Sequence, residues 1–235
     1  MAEAQPLGRI DLLDKGFVEL LDSMGDDNRV VSAARVSLLG ESKGEKSDKL
    51  LIKYLLENKH TSPFEHVEFE FRVKCPLFIR SQWHRHRMWS YNEVSRRYTD
   101  VGIEFYIPTE LRLQAETNRQ ASKDQTISEI RWNDGLHLSV KTEIELHSES
   151  CLRTYSNLLE NGVSREQARM VLPQNMYTMF YAKTDLHNLL HFIELRDSEH
   201  AQYEMRLYAK ALLELIKPIV PWTIEAWEEK QKNNI

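Results

Sequence analysis

Val67-Glu68-Phe69-Glu70-Phe71-Arg72-Val73-Lys74 alternates without a break, apolar at every odd position and charged at every even one. A period of two turns one face into a core and the other toward water, as in an antiparallel strand with one face covered. Pro76 follows, where a fixed φ and a missing N–H suit the first turn of a helix, so a helix is expected from about Leu77 to Trp89. Upstream, Leu50, Leu51, Tyr54 and Leu55 recur at helical spacing and predict a helix from about Asp48 to Asn58, capped by Ser47. The polar, glycine-bearing Gly40 to Ser47 before it reads as a loop.

Downstream, Ser90 to Asp100 is polar, and Glu104 to Ile107 is a short strand stopped by Pro108. A long amphipathic helix is expected from about Thr126 to Glu160, ended by Asn161-Gly162, with Gly135 as an interior break. Ser164 and Gln167 have the spacing of a capping box for a short helix closed by Pro173. Tyr177 to Lys183 reads as a strand, Asp185 as the cap of a helix to Arg196, and Ser198 to Ile216 as the last helix. Strands and helices do not alternate regularly, so the expected class is α+β: an antiparallel sheet packed with long helices, in one domain over residues 1–235.

Composition narrows the function. The net charge of −5 argues against a protein that binds long nucleic acid, which ordinarily carries a basic excess. No run of about 18 apolar residues occurs, so no membrane span is expected, and the first residues lack a signal-peptide core. Cys75 and Cys151 lie far apart in no metal spacing, which suits a reducing cytoplasm. The positive charge is nonetheless concentrated: Arg80 to Arg97 holds five arginines and two histidines against one acid, Glu93. Such a patch on an acidic protein suits a small anionic ligand.

Residues 80–98 read RSQWHRHRMWSYNEVSRRY. Arginine forks match phosphates and planar rings with paired acceptors, and Gln82, Asn92 and Ser95 add neutral groups able to read a base edge. Taken alone, the same residues also fit a solvated basic face with a structural arginine–Glu93 pair. They fit a nucleic-acid surface as well, with Trp83, Trp89, Tyr91 and Tyr98 as stacking groups. His187 and His191, four apart on a helix, fit a metal pair in a nucleotide hydrolase, but without a third ligand at an obvious spacing or an intervening glutamate.

Arg85-His86-Arg87, seven residues, then Ser95 match the RHR-x7-S signature of flavin-dependent thymidylate synthases, in a SYNE-x-S-x-RY context. The chain resembles that family in further segments. These are HTSPFEH at 60–66, REQARMVLP at 165–173, LRDSEHAQ at 195–202 and GFVEL at 16–20, so the likeness runs in order from about Asp11 to Trp222.

The resemblance implies reductive methylation of dUMP to dTMP with FAD, NADPH and 5,10-methylenetetrahydrofolate, in a cytoplasmic homotetramer whose active sites are shared between subunits. It carries over a dUMP site of Gln82, Trp83, His84 and Arg85 from a neighbouring subunit, with Glu93, Val94, Ser95, Arg96, Arg97, Arg169 and Arg196. Arg196 is the residue implied to favour ionisation of the uracil ring. The implied FAD contacts are Ser62, Arg85, His86, Arg87, Glu93, Asp185, His187 and His191. Two places depart from the common pattern. Asp185, His187 and His191 stand where the family often has an N-x-R…N arrangement, and Arg96 stands where a small residue is usual. No GxGxxG occurs, so no dinucleotide fold of that type is expected, and the resemblance calls for neither a metal nor a protein nucleophile.

Overall fold

The computed structural model describes residues 5–116, 122–133 and 135–233. Met1 to Ala4 of the N-terminus and Asp134 of the expected long helix lie outside the described residues. In chain order the elements are β1 (Gly8–Leu12), β2 (Gly16–Met24), α1 (Asp27–Arg35), α2 (Glu45–Glu57), β3 (Glu68–Pro76), α3 (Leu77–Trp83) and β4 (Ser90–Glu93). Two hairpins follow, β5 (Leu111–Gln114) with β6 (Ser122–Ile127) and β7 (Glu129–Arg131) with β8 (His137–Ser139). The chain then runs through α4 (Val140–Glu160), α5 (Arg165–Ala168), β9 (Tyr177–Asp185), α6 (Leu186–Arg196), α7 (Tyr203–Ile216) and α8 (Pro221–Asn233).

The alternating stretch is β3, and it lies in the middle of a five-stranded antiparallel sheet of order β1-β2-β3-β9-β4. Its apolar residues Phe69, Phe71, Val73 and Cys75 are buried. They pack with Val18, Leu20, Phe180 and Ala182 of the neighbouring strands and with Ile79, Trp83, Phe192, Tyr208 and Leu212 from the helices. Tyr208 comes so close to β2 that a Cβ on Gly16 would lie 2.2 Å from its hydroxyl, which donates to the Lys74 carbonyl at 2.8 Å. Only glycine fits there. The charged face of β3 is not simply wet: Glu19 of β2, 2% exposed, accepts from Arg9 at 2.8 Å and Arg72 at 2.6 Å, tying three adjacent strands.

Several boundaries differ from expectation. The helix at α2 begins three residues ahead of Asp48: Gly44 is its cap, and Ser47 lies in its first turn, its N–H donating to the Gly44 carbonyl. α3 stops at Trp83, six residues before Trp89, because the chain must double back. Trp89 returns to the core, 6% exposed and edge-on to Trp83, and Ser90 to Glu93 pair with β9. The segment expected to be polar loop is therefore partly strand.

Residues 104–107 form only an isolated bridge, Phe105 to Met176. The described residues between Thr126 and Ser139 form strands and a turn, not helix; Gly135, at φ +85°, lies in the turn between β7 and β8, and α4 starts only where Ser139 Oγ accepts from the Thr142 N–H. Ser164 stands at the N-cap of α5 but makes no side-chain cap bond, so no capping box forms. The stretch from Ser198 becomes helical only at Tyr203. Asp185 does cap α6, accepting from Asn188 N at 2.9 Å and Asn188 Nδ2 at 2.7 Å. Beyond the expected last helix lies α8, whose first N–H groups, Trp222 and Thr223, donate to the buried carboxylate of Asp27 at 2.7 and 3.0 Å. No helix among the described residues is long and apolar enough to cross a membrane.

Candidate active site

Two depressions take up several of the residues picked out by the sequence, and α3 lines the first of them. The first, of about 250 Å³, is lined by Leu77 and Arg80 of α3, Glu93 of β4, Val94, Ser95 and Arg96, Arg169, Leu172, Met176, and Thr178 of β9. Arg80 Nε and Nη2 both donate to Glu93 Oε2, at 2.8 and 2.6 Å, and Thr178 Oγ1 donates to Glu93 Oε1 at 2.8 Å. The only acid of the basic segment is thus fixed by partners from α3 and β9. Arg169 and Arg97 are exposed, and among the described residues the Arg169 side chain is held by Nε donating to the Glu166 carbonyl at 3.3 Å, so both can turn toward an anion.

The second depression is a groove of about 440 Å³ whose lining includes Thr61, Phe64, His187, Leu190, His191 and Trp227. Ser62 is exposed at the start of the 3-10 turn Ser62–His66, next to Thr61. Beside His191 lies a cluster built across 110 residues of chain. Arg196 Nε donates to His86 Nε2 at 2.9 Å, and Arg196 Nη2 donates to the Gln82 carbonyl at 3.1 Å. Gln82 Nε2 donates in turn to Gln202 Oε1. His86 packs on Phe192 with ring centroids 4.6 Å apart.

Burial, then the charges of Arg196 and His191, press the His86 pKa from the usual 6.5 down to about 4. Burial, then Arg80, lowers His84 also, and His84 stacks on Tyr91 at 4.2 Å. Between about pH 6.5 and 4 the unfolded chain takes up a proton at His86 that the native state refuses. This contribution to stability is present above 6.5 and lost as pH falls through 4. The melting temperature is therefore expected to drop over this window, and less steeply in His86→Phe; parallel melts of the two proteins check the sign.

Three expected ligand residues serve the scaffold. The Trp83 side chain is fully buried among Trp89, Phe180, Phe192 and Tyr208, so its indole cannot touch a ligand; it supports the wall from inside. Arg96, 7% exposed, spends Nη1 and Nη2 on the carbonyls of Val101 and Gly102, which folds the loop after Ser95 back on itself. Asp185 spends its carboxylate on capping α6. With Trp83 and Trp89 in the core, the stacking surface needed for nucleic-acid binding is missing its two indoles. Arg85 and Arg87 are exposed on the turn between α3 and β4.

Arg80, Thr178, Leu172 and Met176 line the first cleft although sequence reasoning did not single them out as ligand residues. The Arg80–Glu93 pair had a signal, since Glu93 is the lone acid of a basic segment. Thr178 had none, because only the pairing of β4 with β9 brings it near.

Known proteins resemble this chain closely. The family described as thymidylate synthase complementing protein matches residues 19–222. The flavin-dependent thymidylate synthase of Thermus thermophilus is 50% identical over 220 residues, 94% of this chain and 78% of that one. The flavin-dependent thymidylate synthase of Thermotoga neapolitana is 44% identical over 219 residues, 93% of this chain and 94% of that one. Among solved structures, the UMP/dUMP methylase PolB from Streptomyces cacaoi, bound with 5-Br dUMP, superposes with a TM-score of 0.78 at 33% identity, covering 94% of this chain and 97% of that one.

Proposed function

We infer the function from a premise that these likenesses supply: the chain belongs to the flavin-dependent thymidylate synthase family. It is an FAD-dependent thymidylate synthase that methylates dUMP to dTMP reductively, with NADPH as reductant and 5,10-methylenetetrahydrofolate as carbon donor, releasing tetrahydrofolate. What remains a proposal is which residues do this and in what assembly. The observation that carries the assignment is that one segment, 82–97, lines the first depression through Glu93 to Arg96 and, through Gln82 and His86, holds Arg196 in the cluster beside His191, a residue of the groove.

In this reading Glu93, Val94, Ser95, Arg97 and Arg169 receive the nucleotide's phosphate and sugar, and Gln82, Arg85 and Arg196 the uracil side. His84, Trp83 and Arg96 hold those groups in place. A guanidinium fixed beside the uracil imide stabilises the ring with its proton removed and raises electron density at the carbon to be methylated.

The groove suits a flavin in its donor set. Leu55, Leu56, Phe64 and Leu190 offer an apolar bed for a tricyclic ring, and Lys59, His187, His191 and Lys230 offer donors for a ribityl diphosphate. In the same reading Ser62, Arg85, His86 and Arg87 complete the set, and Asp185 contributes by fixing the first turn of α6. Bound FAD supplies the redox chemistry that side chains lack.

The assembly read with this is a cytoplasmic homotetramer with shared sites. Its support is that the two depressions have no lining residue in common, an arrangement suited to completion by a partner's residues. The test is the visible spectrum of the purified protein with FAD, before and after anaerobic NADPH. A yellow protein that bleaches, and then forms dTMP from dUMP and the folate donor, is expected. A protein that stays colourless with excess FAD would overturn the assignment.

A further inference from the structure

Among the described residues most buried or half-buried arginines face a carboxylate, as Arg35 meets Asp48, Arg72 meets Glu19 and Arg80 meets Glu93, while Arg96 is spent on the carbonyls of its own loop. Arg196 does not. Among the described residues no acid lies within salt-bridge reach of it, and its neighbours are a histidine nitrogen at 2.9 Å and a main-chain carbonyl at 3.1 Å. A guanidinium has donors only, so His86 Nε2 must present its lone pair and carry its proton on Nδ1. The charged groups facing His86 are Arg196 and His191, both on α6, and both oppose a second proton.

We propose that His86 is a positioning residue that grips Arg196 through a neutral acceptor, leaving the guanidinium without a protein counter-ion so that its charge is met by the ionised base of the substrate. A carboxylate at position 86 would hold the same nitrogen as firmly, yet would cancel the charge that selects the anion. An apolar ring would keep the packing on Phe192 but release the guanidinium. A cation fixed within a few ångströms favours the charged form of its neighbour by about 10- to 1,000-fold, which is the advantage at stake. The inference rests on Arg196 facing the uracil ring.

The experiment compares His86→Gln, His86→Phe and His86→Glu with wild type, each loaded with FAD and checked for flavin content and melting temperature. Two quantities are read: kcat for dTMP, and the calorimetric affinity for 5-bromo-dUMP as a function of pH, since the halogen makes the ring proton more acidic. Wild type is expected to bind the bromo compound more tightly as pH rises through its ionisation. His86→Glu and His86→Phe should flatten that rise and lower kcat at least about tenfold. His86→Gln, whose amide oxygen restores an uncharged acceptor, should recover most of both.

A His86→Glu enzyme with the wild-type pH profile would overturn the proposal. So would a His86→Gln enzyme as impaired as His86→Phe, and that pair decides the matter alone should His86→Glu fail to fold. A wild-type protein that binds no dUMP would instead sink the parent assignment, and the proposal with it.

Discussion

Arg196→Ala is expected to lower the turnover of dUMP to dTMP by about 100- to 1,000-fold, the usual effect of deleting one preorganised donor to a developing anion. The side chain ends α6 and projects from its last turn, with Nε and Nη2 already aimed by His86 and Gln82. Burial pulls its pKa down from the ordinary arginine value, so the group is partly desolvated before any ligand arrives. A charge held in that state interacts more strongly than the same charge in water. Truncation removes it at little structural cost, because the apolar anchors of α6 are Leu189, Leu190, Phe192 and Ile193. The variant should therefore keep its flavin and its melting temperature while losing dTMP formation, measured by product analysis under anaerobic conditions. A well-folded variant within tenfold of wild type would remove Arg196 from the chemistry.

Trp83→Ala should do the opposite, unfolding the protein before it damages the site. The indole is 0% exposed and meets four aromatic rings, the nearest being Phe192 at 4.8 Å between centroids. Emptying so large a space in a core costs about 3–5 kcal/mol, a large share of the roughly 5–15 kcal/mol that holds a domain together. Trp83→Phe should be far milder, since it retains a ring and deletes an indole N–H that has no partner among the described residues. Urea denaturation at one fixed protein concentration, chosen because the proposed subunit association would add to apparent stability, compares the three. If Trp83→Ala melts like wild type and loses only nucleotide affinity, the side chain is a ligand contact after all.

The parts of this molecule legible in its sequence are those in which local periodicity and tertiary burial agree. β3 alternates because one of its faces is core, and the structure buries those same residues. Asp185 caps α6 with a bond made three residues away. The site segment was visible through its concentration of charge and its motif. What escaped depends on distant partners. α8 starts on a carboxylate 195 residues earlier in the chain, at Asp27. Residues 126–139 carry helix-compatible spacing, yet the Gly135 turn pairs Ile130 with Leu138 and makes a hairpin. The division of 82–97 between the first depression and the Arg196 cluster was equally hidden, since it follows from where α3 ends and how β4 pairs with β9.

The short helix α3 sends successive side chains to different places. Arg80 turns toward the cleft at Glu93, whereas the side chain of Gln82, two positions on, turns toward Gln202, and its main-chain carbonyl accepts from Arg196. Residues two apart on a helix point in nearly opposite directions. Substitutions along this stretch will sort by azimuth and not by number, so near neighbours in the chain can produce unrelated phenotypes, while His86 and Arg196, 110 positions apart, behave as one unit.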